Sequence, residues 1–341
     1  MDVGATHSRA RIVEKSVNIL SRSNIISSRD KEISNKNAFL EFLSDFINDS
    51  GQAEKICMAI FCLAGPIIDQ KSAMTNWQEP RDINLEDVIK IGLPKDNTIL
   101  VNDMEGAAYG LIAYKSADLP AEVIEMYAGS IANRKQNNNA VLIMPGTGVG
   151  VAGIVASATD QKALDHHAVS CELQHTAISP FDEQHAKIIE LIKSILNKKR
   201  PSWEDFVSGR GLENIHICLN RLTNVDTICK EELNTAEIAK RAVEGTDQLC
   251  RQALDLYYRC AGGLAQIVAL SFQPYGGIYL AGTTTNKNLA FISSSHYLTE
   301  LQNNELRREL LLSFPVYLVP GNLSLDGAAH LASLRLKRND N

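Results

Sequence analysis

The chain has 341 residues and a formal net charge of −6, with 45% hydrophobic and 22% charged residues. These values are typical of a globular protein long enough for about two domains. They argue against nucleic acid or an anionic membrane as the main partner, because both attract clustered Lys and Arg. The seven cysteines are scattered without a CxxC pair, and neither a long apolar run nor a signal-peptide pattern is found. We therefore expect a cytoplasmic protein with free thiols.

The first part of the chain is predicted to form an α/β domain with a mixed sheet. An alternating segment up to Val13 indicates a strand after a tight turn, and residues 38–47 carry apolar side chains at helical spacing. Residues 56–63 and 98–101 are continuous apolar runs, which are typical of buried strands. The other predicted elements of this region are a strand at 17–26 and a short helix at 85–91.

The second part opens in a similar way, with an apolar strand at 140–144, a glycine-rich turn at 145–150 and a strand at 151–155. Helices are predicted to dominate from 183 to 271, and the periodic apolar residues of 249–270 indicate a core helix. The remaining predicted elements are strands at 278–281 and 316–319 and a helix at about 326–335.

Two turns of small residues follow predicted strands. Asp2 precedes Gly4, Ala5 and Thr6, and a second turn contains Gly146, Thr147 and Gly148. Small residues let backbone N–H groups approach a phosphate closely, so both turns are candidate phosphate loops. Taken in isolation, the first turn fits an ordinary hairpin turn better than a phosphate loop, and the second turn has the same alternative.

Asn102 and Asp103 stand at the carboxyl end of a buried strand, where α/β sheets place their ligands. A carboxylate in that position suits a general base. It also suits the N-cap of a helix starting at Met104, since aspartate is a favoured capping residue. The two roles are compatible.

Taken in order, these segments resemble the bacterial glucokinase family, nearly from end to end. The matching segments are residues 2–6, 65–66 with 74–76, 101–103, 145–150, 172–175, 204 with 208–212, and 276–282. The resemblance implies an α/β, two-domain actin-like ATPase (ribonuclease H-like) fold with an interdomain cleft. It further implies a small domain of residues 1–107 plus 326–341 and a large domain of residues 108–325.

The resemblance implies a glucokinase that phosphorylates glucose or a related hexose at the 6-hydroxyl, with ATP and Mg²⁺ as cofactors. Asp103 would be the general base, and Asp2 would hold Mg²⁺ through water. The implied sugar-binding residues are Asn76, Asn102, Asp103, Glu172, His175 and Glu204. The implied nucleotide-binding residues are Asp2, Gly4, Ala5, Thr6, Gly146, Thr147, Gly148, Gly282 and Thr283. Related kinases are often dimers, so the resemblance admits a homodimer.

The sequence departs from the family pattern at several places. The first strand has only Met1 before Asp2, and Ala5 replaces a glycine of the first loop. Leu173 and Gln174 replace the two glycines of the sugar loop, and Thr283 replaces a glycine of the adenosine turn. These departures leave open an enzyme of altered specificity, a weak enzyme, or a sugar-sensing protein without turnover.

One motif in the sequence suggests a second reaction class, that of the nicotinamide-dependent oxidoreductases. Residues 148–153 spell GxGxxG after a strand, the pattern of dinucleotide-binding turns. That pattern should open a helix, whereas Val151, Ile154 and Val155 predict a strand. The sequence therefore favours the kinase.

Overall fold

The computed structural model describes residues 1–4, 7–15, 22–75, 77–116, 122–130, 139–159, 163–223 and 233–339. The chain divides into two compact units. The first contains Met1–Pro120, His166–Ser170 and Asn322–Asn341, and the second contains Ala121–Asp165 and Cys171–Gly321. The domain boundaries inferred from the sequence, 1–107 with 326–341 and 108–325, stay a prediction.

The first unit is built on a five-stranded sheet with the strand order β3-β2-β1-β4-β7. Its strands are β1 (Asp2–Val3), β2 (His7–Val13), β3 (Ile25–Glu32), β4 (Ala59–Leu63) and β7 (Thr98–Asn102). Strands β1, β4 and β7 are parallel, and β2 and β3 are antiparallel to their neighbours. A separate two-stranded sheet contains β5 (Lys71–Ala73) and β6 (Asp82–Asn84). The helices are α1 (Lys36–Ser50), α2 (Leu85–Ile89), α3 (Asp103–Ser116) and α12 (Leu323–Asn339).

Of the described part of the strand predicted at 17–26, Ile25 and Ile26 belong to a strand, β3, which runs on to Glu32, whereas Arg22–Asn24 form a 3₁₀ turn instead. Residues 17–21 lie outside the described residues. Strand β3 is one of the two edge strands of the sheet, and most of its side chains are exposed or half-exposed. An exposed edge strand can be polar, so the spacing of apolar residues in the sequence does not reveal where such a strand begins and ends.

Helix α1 confirms the helix predicted from apolar spacing. The Asn35 side chain accepts a hydrogen bond from the Ala38 backbone N–H at its start, and Gly51, with φ of 64°, ends it. Both are preferred helix-terminal residues because they satisfy otherwise unpaired backbone groups. The buried face consists of Phe39, Phe42, Leu43, Phe46 and Ile47.

Helices α3 and α12 pack closely in the first unit through glycine. A side chain at Gly327 would overlap the backbone oxygen of Gly106, and one at Gly110 would overlap the backbone oxygen of Leu323. Only glycine allows two helix backbones to approach to this distance. This contact fixes α3, whose first residue is Asp103.

The central strand β1 contains two residues, Asp2 and Val3. A largely apolar cavity of about 450 Å³ lies beside it, lined by residues of β2, β4, α1 and α12. The α-ammonium group of Met1 donates a hydrogen bond of 2.6 Å to the carbonyl oxygen of Ile60. Burial lowers the pKa of this amine from its ordinary value.

The other large sheet has six strands in the order β11-β10-β9-β12-β13-β8. They are β8 (Ile124–Tyr127), β9 (Ala140–Pro145), β10 (Val149–Thr159), β11 (Ala163–Cys171), β12 (Ile278–Leu280) and β13 (Val316–Leu318). The longer helices of the second unit are α4 (Glu183–Leu196), α5 (Gly209–Thr223), α6 (Thr235–Glu244) and α7 (Gln248–Phe272). The shorter ones are α8 (Thr283–Lys287), α9 (Leu289–Ile292), α10 (Tyr297–Leu301) and α11 (Arg308–Leu311).

Helix α7 confirms the predicted core helix. Thirteen of its 25 residues are buried, and it packs against α5, α6 and α10. A helix with so wide a buried face is stabilised mainly by the hydrophobic contacts it makes. Within the described ranges, no helix has both the length and the apolar character needed to cross a bilayer.

Candidate functional site

The parallel strands of the first unit bring several predicted site residues to one edge of its sheet. Val3 of β1 is in register with Leu63 of β4, and Leu63 is in register with Asn102 of β7. The residues that follow these strand ends are Gly4, Ala64 and Asp103. Ligands of α/β sheets bind at such carboxyl ends. The edge therefore joins the first candidate phosphate loop to the candidate base.

Asp103 begins helix α3, one residue earlier than the sequence predicted. The Met104 backbone N–H donates to Oδ1 of Asn102 and to Oδ1 of Asp103, both at 2.9 Å. Both side chains therefore cap the helix. The Asn102 amide also donates to the carbonyl oxygen of Gly65 at 3.1 Å, which ties the end of β7 to the loop after β4.

Asp2 is a nearly buried carboxylate at the start of β1, with 11% of its side chain exposed. Arg9 donates to its Oδ2 at 3.2 Å, and the Asn322 side chain donates to the same oxygen at 3.3 Å. Burial raises the pKa of Asp2, while the hydrogen bond from Asn322 and the charge of Arg9 oppose that rise. The carboxylate is thus held in place by two donors.

The first glycine turn is closed by a hydrogen bond from the Gly4 N–H to the His7 carbonyl oxygen at 3.0 Å. A Cβ atom at Gly4 would lie 2.9 Å from that same oxygen, so the turn has room for glycine only. Ala5 and Thr6 lie outside the described residues, and so does Asn76. Thr75, the neighbour of Asn76, donates its backbone N–H to the Ala64 oxygen at 3.0 Å, beside the end of β4.

In the second unit, the loop at 145–150 is a tight hairpin between β9 and β10. Pro145 and Val149 are paired, and the Gly146 N–H donates to the Gly148 oxygen at 2.7 Å. Thr147 is exposed at the tip. The Gly209 N–H at the start of α5 donates to the Gly146 oxygen at 3.0 Å, and this hydrogen bond anchors the hairpin loop to α5. Residues 149–153 form the start of β10, so the GxGxxG string does not open a helix.

Two side chains of the predicted sugar loop, Glu172 and His175, form a row with the carboxylate of Glu204. Nε2 of His175 lies 3.3 Å from Oε2 of Glu172, and Nδ1 of His175 lies 3.2 Å from Oε2 of Glu204. The side chains of Glu172 and His175 are 64% and 54% exposed. The imidazole therefore bridges two acids that are 32 positions apart in sequence, 172 and 204, and all three can reach a ligand.

Glu204 meets the hairpin loop at Gly148. A side chain at Gly148 would overlap Oε1 of Glu204, so that carboxylate rests directly on the loop backbone. Gly282 lies beside the same hairpin, with φ of 97°, and a Cβ atom there would lie 2.7 Å from the Pro145 oxygen. The backbone of Thr283 begins α8, and its side chain lies outside the description. The second unit thus brings together Gly146, Gly148, Glu172, His175, Glu204 and Gly282.

A family model for glucokinase matches residues 1–335. The chain belongs to the glucokinase family. Among its relatives, a glucokinase of Neisseria gonorrhoeae is 31% identical over 294 residues, covering 86% of this chain and 83% of the relative. A glucokinase of Neisseria meningitidis is 28% identical over 329 residues, covering 96% of this chain and 92% of the relative.

Solved structures share the fold of this glucokinase-family chain. Glucokinase from Balamuthia mandrillaris, in complex with glucose, has a TM-score of 0.83 at 20% identity, covering 97% of this chain and 92% of that one. A ROK family glucokinase from Streptomyces griseus, in complex with glucose and AMPPNP, has a TM-score of 0.63 at 16% identity, covering 98% and 97%. The predicted two-domain α/β fold is confirmed.

The predicted family and enzyme class, a hexose kinase of the glucokinase type, are confirmed by the family match. The oxidoreductase alternative receives no support from the comparisons or from the conformation of residues 148–153. The roles of the individual residues in this glucokinase-family chain stay predictions.

Sequence reasoning missed three residues that hold the site. Arg9 and Asn322 fix Asp2, and the Gln174 amide donates to Oε2 of Glu172 at 2.5 Å. Asn322 does have a local signal, an asparagine just before a helix, and its Oδ1 accepts from the Leu325 N–H at 3.3 Å. That signal predicts a cap, but it gives no indication of the contact with Asp2.

Proposed function

We propose that this chain transfers the γ-phosphoryl group of ATP to the 6-hydroxyl of glucose or a related hexose, giving the hexose 6-phosphate and ADP. The observation that carries the proposal is the position of Asp103. It follows β7 at the sheet edge where Gly4 follows β1, so a carboxylate and a candidate phosphate loop share one edge. Phosphoryl transfer needs such a pairing of a base with a phosphate-binding turn.

In the proposed step, the 6-hydroxyl oxygen forms a bond to the γ-phosphorus. The bond from that phosphorus to the bridging oxygen breaks, and ADP leaves with the electron pair. The hydroxyl proton passes to a carboxylate oxygen of Asp103, which makes the attacking oxygen more nucleophilic. The hydrogen bond from the Met104 N–H to Asp103 fixes the carboxylate for this task.

Glu172, His175 and Glu204 are proposed to bind the other sugar hydroxyls. A hydroxyl donates one hydrogen bond and accepts others, and a row of acid, imidazole and acid offers both kinds of partner. Asn76 and Asn102 are proposed to add contacts. The Asn102 amide uses one N–H for Gly65 and its oxygen for Met104, and an amide has a second N–H to offer.

The glycine turns fit a nucleotide tail. Gly4 and Gly282 sit where a Cβ atom would strike backbone oxygen, and Gly146 and Gly148 form the tip of a hairpin. The N–H groups of Gly4 and Gly146 close their own turns, so the proposed phosphate donors are the N–H groups of the residues that follow them in each turn. The related fold described with AMPPNP, an ATP analogue, supports ATP as the donor. Ala5, Thr6, Thr147 and Thr283 are proposed to complete the two loops and the adenosine turn.

Asp2 fits a water-mediated magnesium site. The hydrogen bonds from Arg9 and Asn322 both fall on Oδ2, and the Asp2 side chain keeps some exposure. Carboxylate is a ligand type that Mg²⁺ accepts. Asp2 would hold Mg²⁺ through water, and the metal would neutralise charge on the β- and γ-phosphates. A homodimer and a cytoplasmic location stay predictions from the resemblance and the composition.

The test is a coupled ADP-release assay over a panel of hexoses, with calorimetry for glucose binding. Asp103→Asn should lower kcat by about 10²- to 10⁴-fold with little change in glucose affinity. Glu105→Gln is the matched control, because it removes another acid from the first turn of the same helix. Glucose binding by the unaltered chain without ADP release would instead identify a sugar sensor. Full turnover in Asp103→Asn would remove Asp103 as the base.

A further inference from the structure

Gln174 is a buried polar residue within an exposed loop. It is 6% exposed, whereas the side chains of its neighbours Glu172 and His175 are more than half exposed. The three residues 173–175 form a single 3₁₀ turn, and the Leu173 side chain packs on the hydrophobic core of the second unit. The turn is therefore fixed on its buried side by two side chains, the apolar Leu173 and the amide Gln174.

The amide of Gln174 donates a hydrogen bond to one of its two exposed neighbours, Glu172. Its Nε2 donates to Oε2 of Glu172 at 2.5 Å, the same oxygen that lies 3.3 Å from Nε2 of His175. Glu172 Oε2 is thus held from two sides. His175 in turn reaches Glu204 through its other ring nitrogen. Gln174 is the buried end of a row that continues through Glu172 and His175 to Glu204.

Burying this amide has a cost that an apolar side chain would avoid. Its Oε1 is buried and has no hydrogen-bond partner in the described part of the chain. An unpaired buried acceptor is unfavourable, so buried polar groups of this kind call for an explanation. The hydrogen bond from the other half of the amide to Glu172 supplies one.

We propose that Gln174 is a positioning residue for sugar binding, which holds the Glu172 carboxylate in its binding orientation before the sugar arrives. This inference rests on the proposed function, since it takes Glu172 as a sugar ligand. A carboxylate already held by one oxygen loses less rotational freedom when it binds a hydroxyl. Gln174 is only 6% exposed and donates to Glu172, so its proposed effect on the sugar passes through Glu172.

The test is a double-mutant cycle on glucose affinity, measured by calorimetry without nucleotide. Gln174→Met keeps the length of the side chain and removes the N–H donor. It should weaken glucose binding by about threefold to tenfold, the range expected for freeing one long side chain. In the Glu172→Ala background the same change should have no further effect, because the residue it orients is gone.

Leu173→Ala is the matched control for the folding of the turn. It removes packing but keeps the donor to Glu172, so it should lower the Tm, and its effect on affinity should be the same with or without Glu172. In turnover assays, Gln174→Met should raise the KM for glucose while kcat changes by less than about twofold. That split separates a positioning role from a general loss of folded protein.

Two outcomes would overturn the inference: unchanged glucose affinity in Gln174→Met, or an equal loss of affinity in both backgrounds. The proposed function fails by a different result, the absence of ADP release from the unaltered chain. Because the cycle needs glucose binding and no ATP, the two failures are distinguishable.

Discussion

Asn322 donates a hydrogen bond of 3.3 Å from its amide to Oδ2 of Asp2, joining residues 320 positions apart. The same side chain accepts from the Leu325 N–H at the start of α12. Asn322 therefore links the N-terminal end of α12 to Asp2, the acid proposed to hold Mg²⁺. This contact links the C-terminal helix of the first unit to the chemistry proposed for its sheet edge.

Replacing Asn322 by serine should weaken the use of Mg²⁺ and ATP, most strongly at acidic pH. Serine can still cap α12, but it is too short to donate to Asp2. Because burial already raises the pKa of Asp2 and the Asn322 hydrogen bond opposes this, loss of the donor should raise that pKa further. The neutral acid binds Mg²⁺ poorly, so the KM for Mg-ATP should begin to rise at a higher pH than in the unaltered chain.

The measurement for this prediction is the KM for Mg-ATP between pH 5 and pH 8. Asn97→Ser is the control, because Asn97 donates to the Cys57 oxygen at 3.1 Å and has no proposed role in binding. Identical pH profiles for Asn322→Ser and the unaltered chain would contradict the prediction.

Gly148→Ala should weaken glucose binding although Gly148 belongs to the candidate phosphate loop. The added methyl group would overlap Oε1 of Glu204, and the carboxylate would have to rotate away from His175, which now lies 3.2 Å from its Oε2. The rotated Glu204 carboxylate would lose its proposed hydrogen bond to a sugar hydroxyl. Loss of a hydrogen bond to a charged group lowers binding affinity by about tenfold or more, and we expect that loss for glucose.

Calorimetry with glucose alone tests this, and Gly146→Ala is the matched control. At Gly146 the nearest atom to an added Cβ is the Gly148 oxygen at 3.9 Å, an ordinary contact. Glucose affinity without nucleotide should therefore stay unchanged in Gly146→Ala. Equal affinities in the two variants would show that Glu204 does not depend on Gly148.

Gly327→Ala should strongly destabilise the first unit. The methyl group would overlap the Gly106 oxygen and lie 2.5 Å from the Gly110 nitrogen, and backbone atoms cannot move aside as a side chain can. Overpacking costs about 1–3 kcal/mol and occasionally more, and overlap with backbone atoms places this variant at the upper end of that range. Since α3 begins with Asp103, activity should fall as well.

The control for that variant is Gly51→Ala. Gly51 ends α1 with φ of 64°, and no atom lies within 4 Å of a Cβ there. Only the backbone strain of about 1–2 kcal/mol remains. Urea unfolding should give a clearly lower free energy of unfolding for Gly327→Ala than for Gly51→Ala. The reverse order would refute the close packing of α3 on α12.

His185 should make the second unit sensitive to acid. Burial lowers the pKa of this imidazole from 6.5 to about 4, with a further contribution from Arg259 and an opposing one from Asp182. Its Nδ1 accepts from the Phe181 N–H at 3.2 Å, which requires the neutral ring. Between pH 6.5 and about 4 the unfolded chain binds more protons, so stability should fall as pH falls, by up to about 1.4 kcal/mol per pH unit.

The measurement is urea unfolding at several pH values for the unaltered chain and for His185→Gln. Glutamine does not titrate, so the slope of stability against pH in this window should be smaller in the variant. Other groups contribute equally to both proteins, and the difference in slope isolates His185. Equal slopes would mean that His185 is not held neutral.

The sequence by itself determined the elements whose apolar pattern is regular. The spacing of Phe39, Phe42 and Phe46 fixed α1, and the continuous runs before Leu63 and Asn102 fixed β4 and β7. It also placed Asp103 and the glycine turns at strand ends, because turns and strand ends carry local signals. Strand β3 lacked such a signal because an edge strand can be polar on both faces.

Only the tertiary structure decided which side chains hold the site residues. Asp2 accepts hydrogen bonds from Arg9, which lies on the adjacent antiparallel strand, and from Asn322, which lies at the start of the last helix. Glu172 accepts a hydrogen bond from a buried glutamine two positions away. The periodicity of apolar residues shows which face of a segment is buried. It does not show which residues from other parts of the chain contact a given side chain. Strand order and helix packing decide that, and they depend on the whole chain at once.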